Sequence, residues 1–356
     1  MDGHLANQAR QPVPLPVLEG AMKTQRIWFG CASGLALSML FGWSYGFFAI
    51  MLPLFILSRT DSFELSRLLM VVFSAVWTTI QATLLLEYLQ FHPVLMTVAV
   101  GLFFLIKCIA MMNPSTYLFG YMGLLVGSII LNFASYDFID IEDFNLNLWV
   151  ISLANIAICA LAFWLFPEPK RDEIQDAMTT PVKSDMDYIS QVAMGWLVAM
   201  AAFLLFQFAD LYDSLSAQAS IIIILTPMTL AGSMAMAKIR VIGTALGCLA
   251  GLAIQLVLGG WYSNGLLFWL ALTIAMGPFC YLFTKGPVKG AIAFSAMSAL
   301  AVPLTAIVPE GKDAFFSILY RFSSIFVTVA ATAMLIWVVH HGIRALLLKH
   351  PEFVNV

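Results

Sequence analysis

Charge is what this sequence has least of. Only 10% of its residues are Asp, Glu, Lys or Arg while 61% are hydrophobic, against the roughly 25% charged residues of soluble domains. That balance excludes a water-soluble enzyme or binding module and implies a polytopic protein whose first partner is the lipid bilayer. The net charge of −3 says less than the sidedness of the charges, and no nucleic acid is expected as a partner. Cysteine is equally uninformative as chemistry. Cys31, Cys108, Cys159, Cys248 and Cys280 all fall in apolar runs without Cys-x-x-Cys or Cys/His spacing, so they read as small packing residues and neither a disulfide framework nor a metal is expected.

Enzyme signatures are missing as well. There is no Gly-x-x-x-x-Gly-Lys run to cradle a phosphate, which excludes ATP hydrolysis by this chain. No cluster of acids, bases or metal ligands stands out, so no catalytic residue and no cofactor is expected. His340 and His341 are adjacent, and neighbouring helix positions do not face each other. Residues 1–22 hold Pro12, Pro14 and Pro16 but no apolar core of secretory-signal length. They read as a cytoplasmic tail, with the first membrane segment as an uncleaved insertion signal.

What is present is a succession of apolar runs. Divided at polar and Gly/Pro breaks, they give twelve candidate spans at about 24–42, 45–58, 67–86, 92–112, 115–135, 147–166, 189–209, 215–232, 240–259, 265–284, 288–308 and 315–339. Each approaches the roughly 20 residues that cross about 30 Å of hydrocarbon, the second being short. The expected fold is an all-α membrane bundle. With the N-terminus in the cytoplasm, fourteen of the 17 Lys and Arg fall in cytoplasmic segments, Arg240 among them. Lys312 alone lies outside, and Lys107 and Arg321 lie within spans. That bias supports twelve spans with both termini in the cytoplasm.

The chain divides at its one long polar connection. The expected units are the tail 1–22, a first transmembrane half 23–166, a linker 167–188, a second half 189–341 and a C-terminal tail 342–356. Arg67 and Arg240 are 173 residues apart, as are Pro114 and Pro287, and Pro53 precedes Pro227 by 174. Such offsets read as two repeats of about six spans. An even number of spans per copy makes the copies parallel, related by an axis along the membrane normal.

The motif with most character is Lys238–Gly251. Gly243, Gly247 and Gly251 recur every four residues, so one helix face is almost bare and another backbone can approach it. Lys238 and Arg240 lead into it, as cations do at a cytoplasmic mouth. Among the remaining ionisable residues Arg321 lies inside the last span, where a cation costs roughly 2.5 kcal/mol or more. It either reaches outward to Glu310 or Asp313 or faces an aqueous cavity and attracts an anionic substrate, which a guanidinium grips bidentately. Lys107 has the same two readings, snorkelling or substrate contact. Asp210, at the outer end of the seventh span, is the candidate for proton coupling. The outer loop Tyr136–Asp143 is acidic and aromatic, suited to a solvated connection or to a periplasmic partner.

At the glycine face the sequence resembles the fusaric-acid-resistance-like superfamily of bacterial inner-membrane proteins, which includes aromatic carboxylic acid exporters. The matching residues are Arg240, Gly243, Thr244 and Gly247, with an echo at Arg321 before Ser323, Ser324, Thr328, Ala330 and Ala331. The short linker 167–188 makes this a compact, membrane-only branch. The resemblance implies a secondary transporter of the inner membrane that exports small aromatic or other organic acids beside a periplasmic membrane-fusion-type adaptor, and it admits a homo-oligomer. The alternative is a non-transporting scaffold that anchors an adaptor or envelope complex.

Overall fold

Hydrocarbon offers no partner for a backbone N–H or C=O, so a chain this apolar must satisfy its backbone within helices. The computed structural model describes residues 15–133, 140–167, 185–208, 215–261, 264–305 and 314–349, which form helices and no strand. In chain order these are α1 (Leu15–Phe41), α2 (Phe47–Arg59), α3 (Leu65–Leu89), α4 (Pro93–Met112), α5 (Tyr117–Phe133), α6 (Ile141–Leu165), α7 (Asp185–Phe208), α8 (Leu215–Leu225), α9 (Leu230–Leu258), α10 (Gly265–Leu282), α11 (Pro287–Thr305) and α12 (Ala314–Lys349). The protein is an all-α polytopic helical bundle. Large apolar side chains such as Leu102, Leu153, Ile274 and Met334 are exposed, the reverse of a soluble surface and the natural face toward lipid.

Helix starts follow local chemistry. Asp140 caps α6 by accepting the Glu142 and Asp143 N–H groups, and Asn264 caps α10 through those of Leu266 and Leu267. Thr229 caps α9 by accepting the Gly232 N–H, satisfying a donor that the first turn otherwise leaves free.

Two helices fall short of a full span, as expected for the second but not for the eighth. Seven helices, α3, α4, α6, α7, α9, α10 and α12, are long and apolar enough to cross a membrane. Helices α2 and α8 have 13 and 11 residues, or about 20 and 16 Å at 1.5 Å per residue, well short of the roughly 30 Å core. The expected eighth span, 215–232, ends at Leu225, because Pro227 lacks an N–H and Met228 turns the chain at φ 53°. The residues beyond belong to α9, which begins ten positions before the expected start at 240. Arg240 therefore sits well inside a helix and is 2% exposed, not at a helix mouth. The expectation of a boundary follows from the preference of cations for the cytoplasmic mouth of a span, which a supported cation inside a bundle escapes.

The halves pack alike. In the first, α5 lies on α3 and α4, while α6 lies on α1, α2 and α3; in the second, α11 lies on α9 and α10, while α12 lies on α7, α8 and α9. Contacts across the halves are reciprocal, α1 on α10 and α4 on α7, α2 on α11 and α5 on α8. Indoles stitch these seams. Trp28 donates to the Thr273 carbonyl (2.6 Å), Trp269 to that of Ala32 (3.0 Å) and Trp196 to that of Gly101 (2.8 Å). Trp149 donates to Thr79 Oγ1 at 2.8 Å. Of the three spaced landmarks, Pro114 lies in the α4–α5 turn and Pro287 opens α11 directly after the α10–α11 turn. Pro53 lies inside α2 whereas Pro227 follows α8. Arg67 is exposed in the first turn of α3, 2.6 Å from Glu64, unlike buried Arg240.

The glycine face does what its spacing demands. A Cβ on Gly243 would sit 2.6 Å from the Ile292 carbonyl oxygen, and one on Gly247 would collide with the carbonyl of Ala296. Helix α9 thus meets α11 backbone to backbone. Gly251 is buried on the same helix. Gly247→Leu is expected to separate the two helices and lower the temperature at which purified protein loses monodispersity, by a destabilisation of about 3 kcal/mol or more. Gly342→Ala, where nothing lies within 4 Å, is expected to leave that temperature unchanged; equal behaviour of the two variants would refute the seam.

Candidate functional site

Where the halves meet, short helices leave space that long ones would fill. A largely apolar cavity of about 90 Å³ is walled by Phe47, Phe48, Met51 and Phe55 of α2, Tyr121 and Leu125 of α5, Ala219 and Ile223 of α8, Phe294 and Ser298 of α11, and Ile325 of α12. One cation, Arg240, lines it. A second, polar space of about 630 Å³ adjoins it and is lined by Lys23, Ser58, Arg59, Asp61, Thr226, Thr284 and Gly286. Tyr121, Ile223 and Phe294 line both. They are the partition between an apolar chamber and a polar vestibule.

Arg240 is held by hydroxyls from two other helices. Its Nε donates to Ser220 Oγ of α8 at 3.1 Å and an Nη to Ser298 Oγ of α11 at 2.6 Å. Each serine gives its own proton to a carbonyl of its helix, Ser220 to Ser216 and Ser298 to Ser295. Their lone pairs are thereby turned to the guanidinium. Ser298 lies roughly 16 Å along α11 from Pro287 at about 1.5 Å per residue, near half the hydrocarbon thickness. No carboxylate among the described residues pairs with Arg240, and two of its five N–H donors are accounted for by the serines. Thr244, one turn further along α9, has a buried hydroxyl with no protein partner.

The two ends of the chamber differ. At Phe48, Phe144 of α6 packs edge-on at 5.8 Å and also meets Tyr45 at 4.8 Å, so this end is backed by rings. Burial, with the Asp143 and Asp140 carboxylates adding, pushes the Tyr45 phenol up to about 12, so it stays protonated and neutral there. On the vestibule side Lys23 pairs with Asp61 at 2.7 Å.

The residues singled out from sequence fare differently. Arg240, Gly243, Thr244, Gly247 and Gly251 are all on α9 and buried. Arg240 had been read as a structural motif residue, and its place in the chamber wall was missed. Lys107 neither snorkels nor lines either space. It is 1% exposed, donates to Thr78 Oγ1 at 3.4 Å, and lies over the rings of Phe119 (4.1 Å) and Phe103 (5.1 Å). Gly123 makes room for it, since a Cβ there would come within 2.7 Å of its methylenes. Arg321 belongs to α12, but its side chain lies outside the described residues, as do Asp210, Glu310 and Asp313. Asp140–Asp143 of the outer loop begin α6; residues 134–139 lie outside the description. Arg59 was also missed, because at the end of an apolar run it reads as an ordinary flanking cation.

A multi-pass membrane bundle with a buried cation in a chamber between its halves is the class of protein that fold and site define. Residues 197–336, nearly all of the second half, match the family described as fusaric acid resistance protein-like, and residues 23–162 match a family of proteins of unknown function, DUF2955. The second half of the chain is thus similar to the fusaric-acid-resistance-like membrane proteins. No curated protein and no solved structure matches it.

A buried ammonium without a carboxylate costs more than an apolar side chain of equal shape. Lys107→Met is therefore expected to raise heat stability by about 1 kcal/mol or more while leaving the chamber intact. A clear loss of stability, measured on the purified protein, would refute this and mean that the Thr78 and ring contacts outweigh the cost of burying the charge.

Proposed function

We propose that this protein is a secondary exporter of small organic anions, aromatic carboxylates foremost, working by alternation of its two halves about the Arg240 chamber. The observation that carries the reading is Arg240 itself, a cation near mid-membrane depth, compensated by hydroxyls instead of a carboxylate, in an apolar chamber. An intramembrane ionisable group of this kind is by default a substrate or ion site. A planar guanidinium grips a carboxylate with two parallel hydrogen bonds, and the apolar walls suit a ring.

The charge distribution orients the path. Lys23, Arg59 and Lys285 gather at the vestibule end, while Asp140, Glu142 and Asp143 begin α6 near the closed end. By the preference of cations for the cytoplasmic side, the vestibule faces the cytoplasm and the chamber is closed toward the periplasm. That arrangement is the loading state of an exporter in an inner membrane, with both termini in the cytoplasm. The reciprocal packing of the halves supports two parallel repeats as the moving bodies. Arg321, one turn before the chamber-lining Ile325, is the proposed second cation for the anion, and Asp210 the proposed coupling acid. A periplasmic membrane-fusion-type adaptor would dock at the acidic end.

Deleting the gene is expected to sensitise cells to at least one aromatic acid and raise its accumulation, and a gradient-dissipating agent should abolish the efflux. Arg240→Gln, expressed at the native level, should fail to restore efflux, with Arg240→Lys well below wild type because it lacks the planar fork. Unchanged accumulation across a panel of organic acids, or full complementation by Arg240→Gln, would sink the proposal.

A further inference from the structure

Between vestibule and chamber stands a cluster that the transport reading does not by itself require. Phe55 of α2 stacks on Tyr121 of α5 at 5.4 Å and 17°, and Tyr121 stacks in turn on Tyr117 at 6.2 Å and 5°. Phe294 of α11 meets Phe55 at 6.3 Å from the side. Over these rings lies the Arg59 guanidinium, 4.3 Å from the Phe55 centroid, 5.9 Å from Tyr117 and 6.0 Å from Tyr121. Arg59 is exposed to the vestibule. No carboxylate among the described residues pairs with it, and the nearby Asp61 is taken by Lys23.

We infer that Arg59, Phe55, Tyr117, Tyr121 and Phe294 form a gate with its own anion-recognition site, which admits planar aromatic carboxylates from the vestibule to Arg240. The inference rests on the export reading and adds to it a separate docking and entry step at Arg59. Three physical features point the same way. The cation offers an aqueous docking point for a carboxylate before any desolvation, and a guanidinium favours bidentate carboxylate contact. The parallel rings behind it are stacked on one another, and a stacked pair opens most easily to something that replaces the lost ring contact, namely another ring. The chamber, at about 90 Å³, is smaller than the roughly 150 Å³ cavity that admits benzene in an engineered protein. An aromatic acid therefore needs the chamber to widen, and Tyr121 and Phe294, which line both spaces, with Phe55 stacked beside them, are the wall rings that would move. Arg59 and Arg240 are then successive stations for one carboxylate, the ring stack standing between them.

The test uses the full-length protein in proteoliposomes, with labelled benzoate and cyclohexanecarboxylate as matched probes of equal charge, one planar and aromatic, the other not. Wild type is expected to exchange benzoate faster. Tyr121→Leu and Phe55→Leu should cut that preference about fivefold or more. Arg59→Gln should raise the half-saturating benzoate concentration about tenfold with the maximal rate largely kept, as the loss of one charge-assisted contact predicts. Binding in detergent gives an arm that needs no turnover. In a monodisperse Arg240→Gln background benzoate should still bind weakly, and adding Arg59→Gln should abolish that binding. An unchanged half-saturation in Arg59→Gln together with an unchanged preference in the leucine variants overturns the gate while leaving export through Arg240 standing. Absence of exchange of either acid by wild type overturns both.

Discussion

A cation near the middle of a membrane must be compensated, and the manner of compensation at Arg240 governs the architecture around it. Placing an arginine at the centre of a membrane helix costs roughly 2.5–3.5 kcal/mol. Two hydrogen bonds from a charged donor return about 1.5–3 kcal/mol each, so Ser220 and Ser298 are enough to make the site tolerable. A carboxylate in their place would form a neutral pair and extinguish the field that an incoming anion feels. Serines stabilise the charge without cancelling it.

Holding two hydroxyls on one guanidinium requires three helices to converge, and each makes a concession. Helix α9 gives up side chains at Gly243 and Gly247, which lets the α11 backbone come close enough for Ser298 to reach Arg240. Helix α8 stops after 11 residues, so Ser220 is brought alongside while the Thr226–Met228 turn leaves the vestibule open beneath it. Helix α11 spends two serines, one oriented by the carbonyl of the other's position. The same glycine spacing that makes a tight seam in the hydrocarbon thus also sets the geometry of the charge.

Much of this was legible in the sequence, and the rest was hidden for a physical reason. Apolar runs located all twelve helices, and the four-residue glycine period identified the close face before any partner was known. The boundary between α8 and α9 was misplaced because a transfer-scale reading places Lys238 and Arg240 at an interface, where cations usually sit. It cannot distinguish a cation at a mouth from one supported inside a bundle. The support itself is non-local, with Ser220 and Ser298 lying 20 and 58 positions from Arg240. Nothing in the residues around Arg240 announces them. The Thr229–Gly232 cap, a Thr just after Pro227, was the one local sign that a helix begins before the cations.

The two halves carry buried cations of opposite character. Lys107 is boxed by Phe103, Phe119 and Thr78 and fitted against Gly123, so it fills the α3–α4–α5 junction and meets no open space. Arg240 faces the chamber that α2, α5, α8 and α11 share. A frame whose halves pack reciprocally but whose substrate-facing charge comes from one of them needs only a single site at the seam. In the proposed alternation, rocking of the halves would change which end of that site is closed without breaking the serine contacts, which are made within the second half. The cation remains compensated throughout the motion, which is the condition for a buried charge to take part in a transport cycle at all.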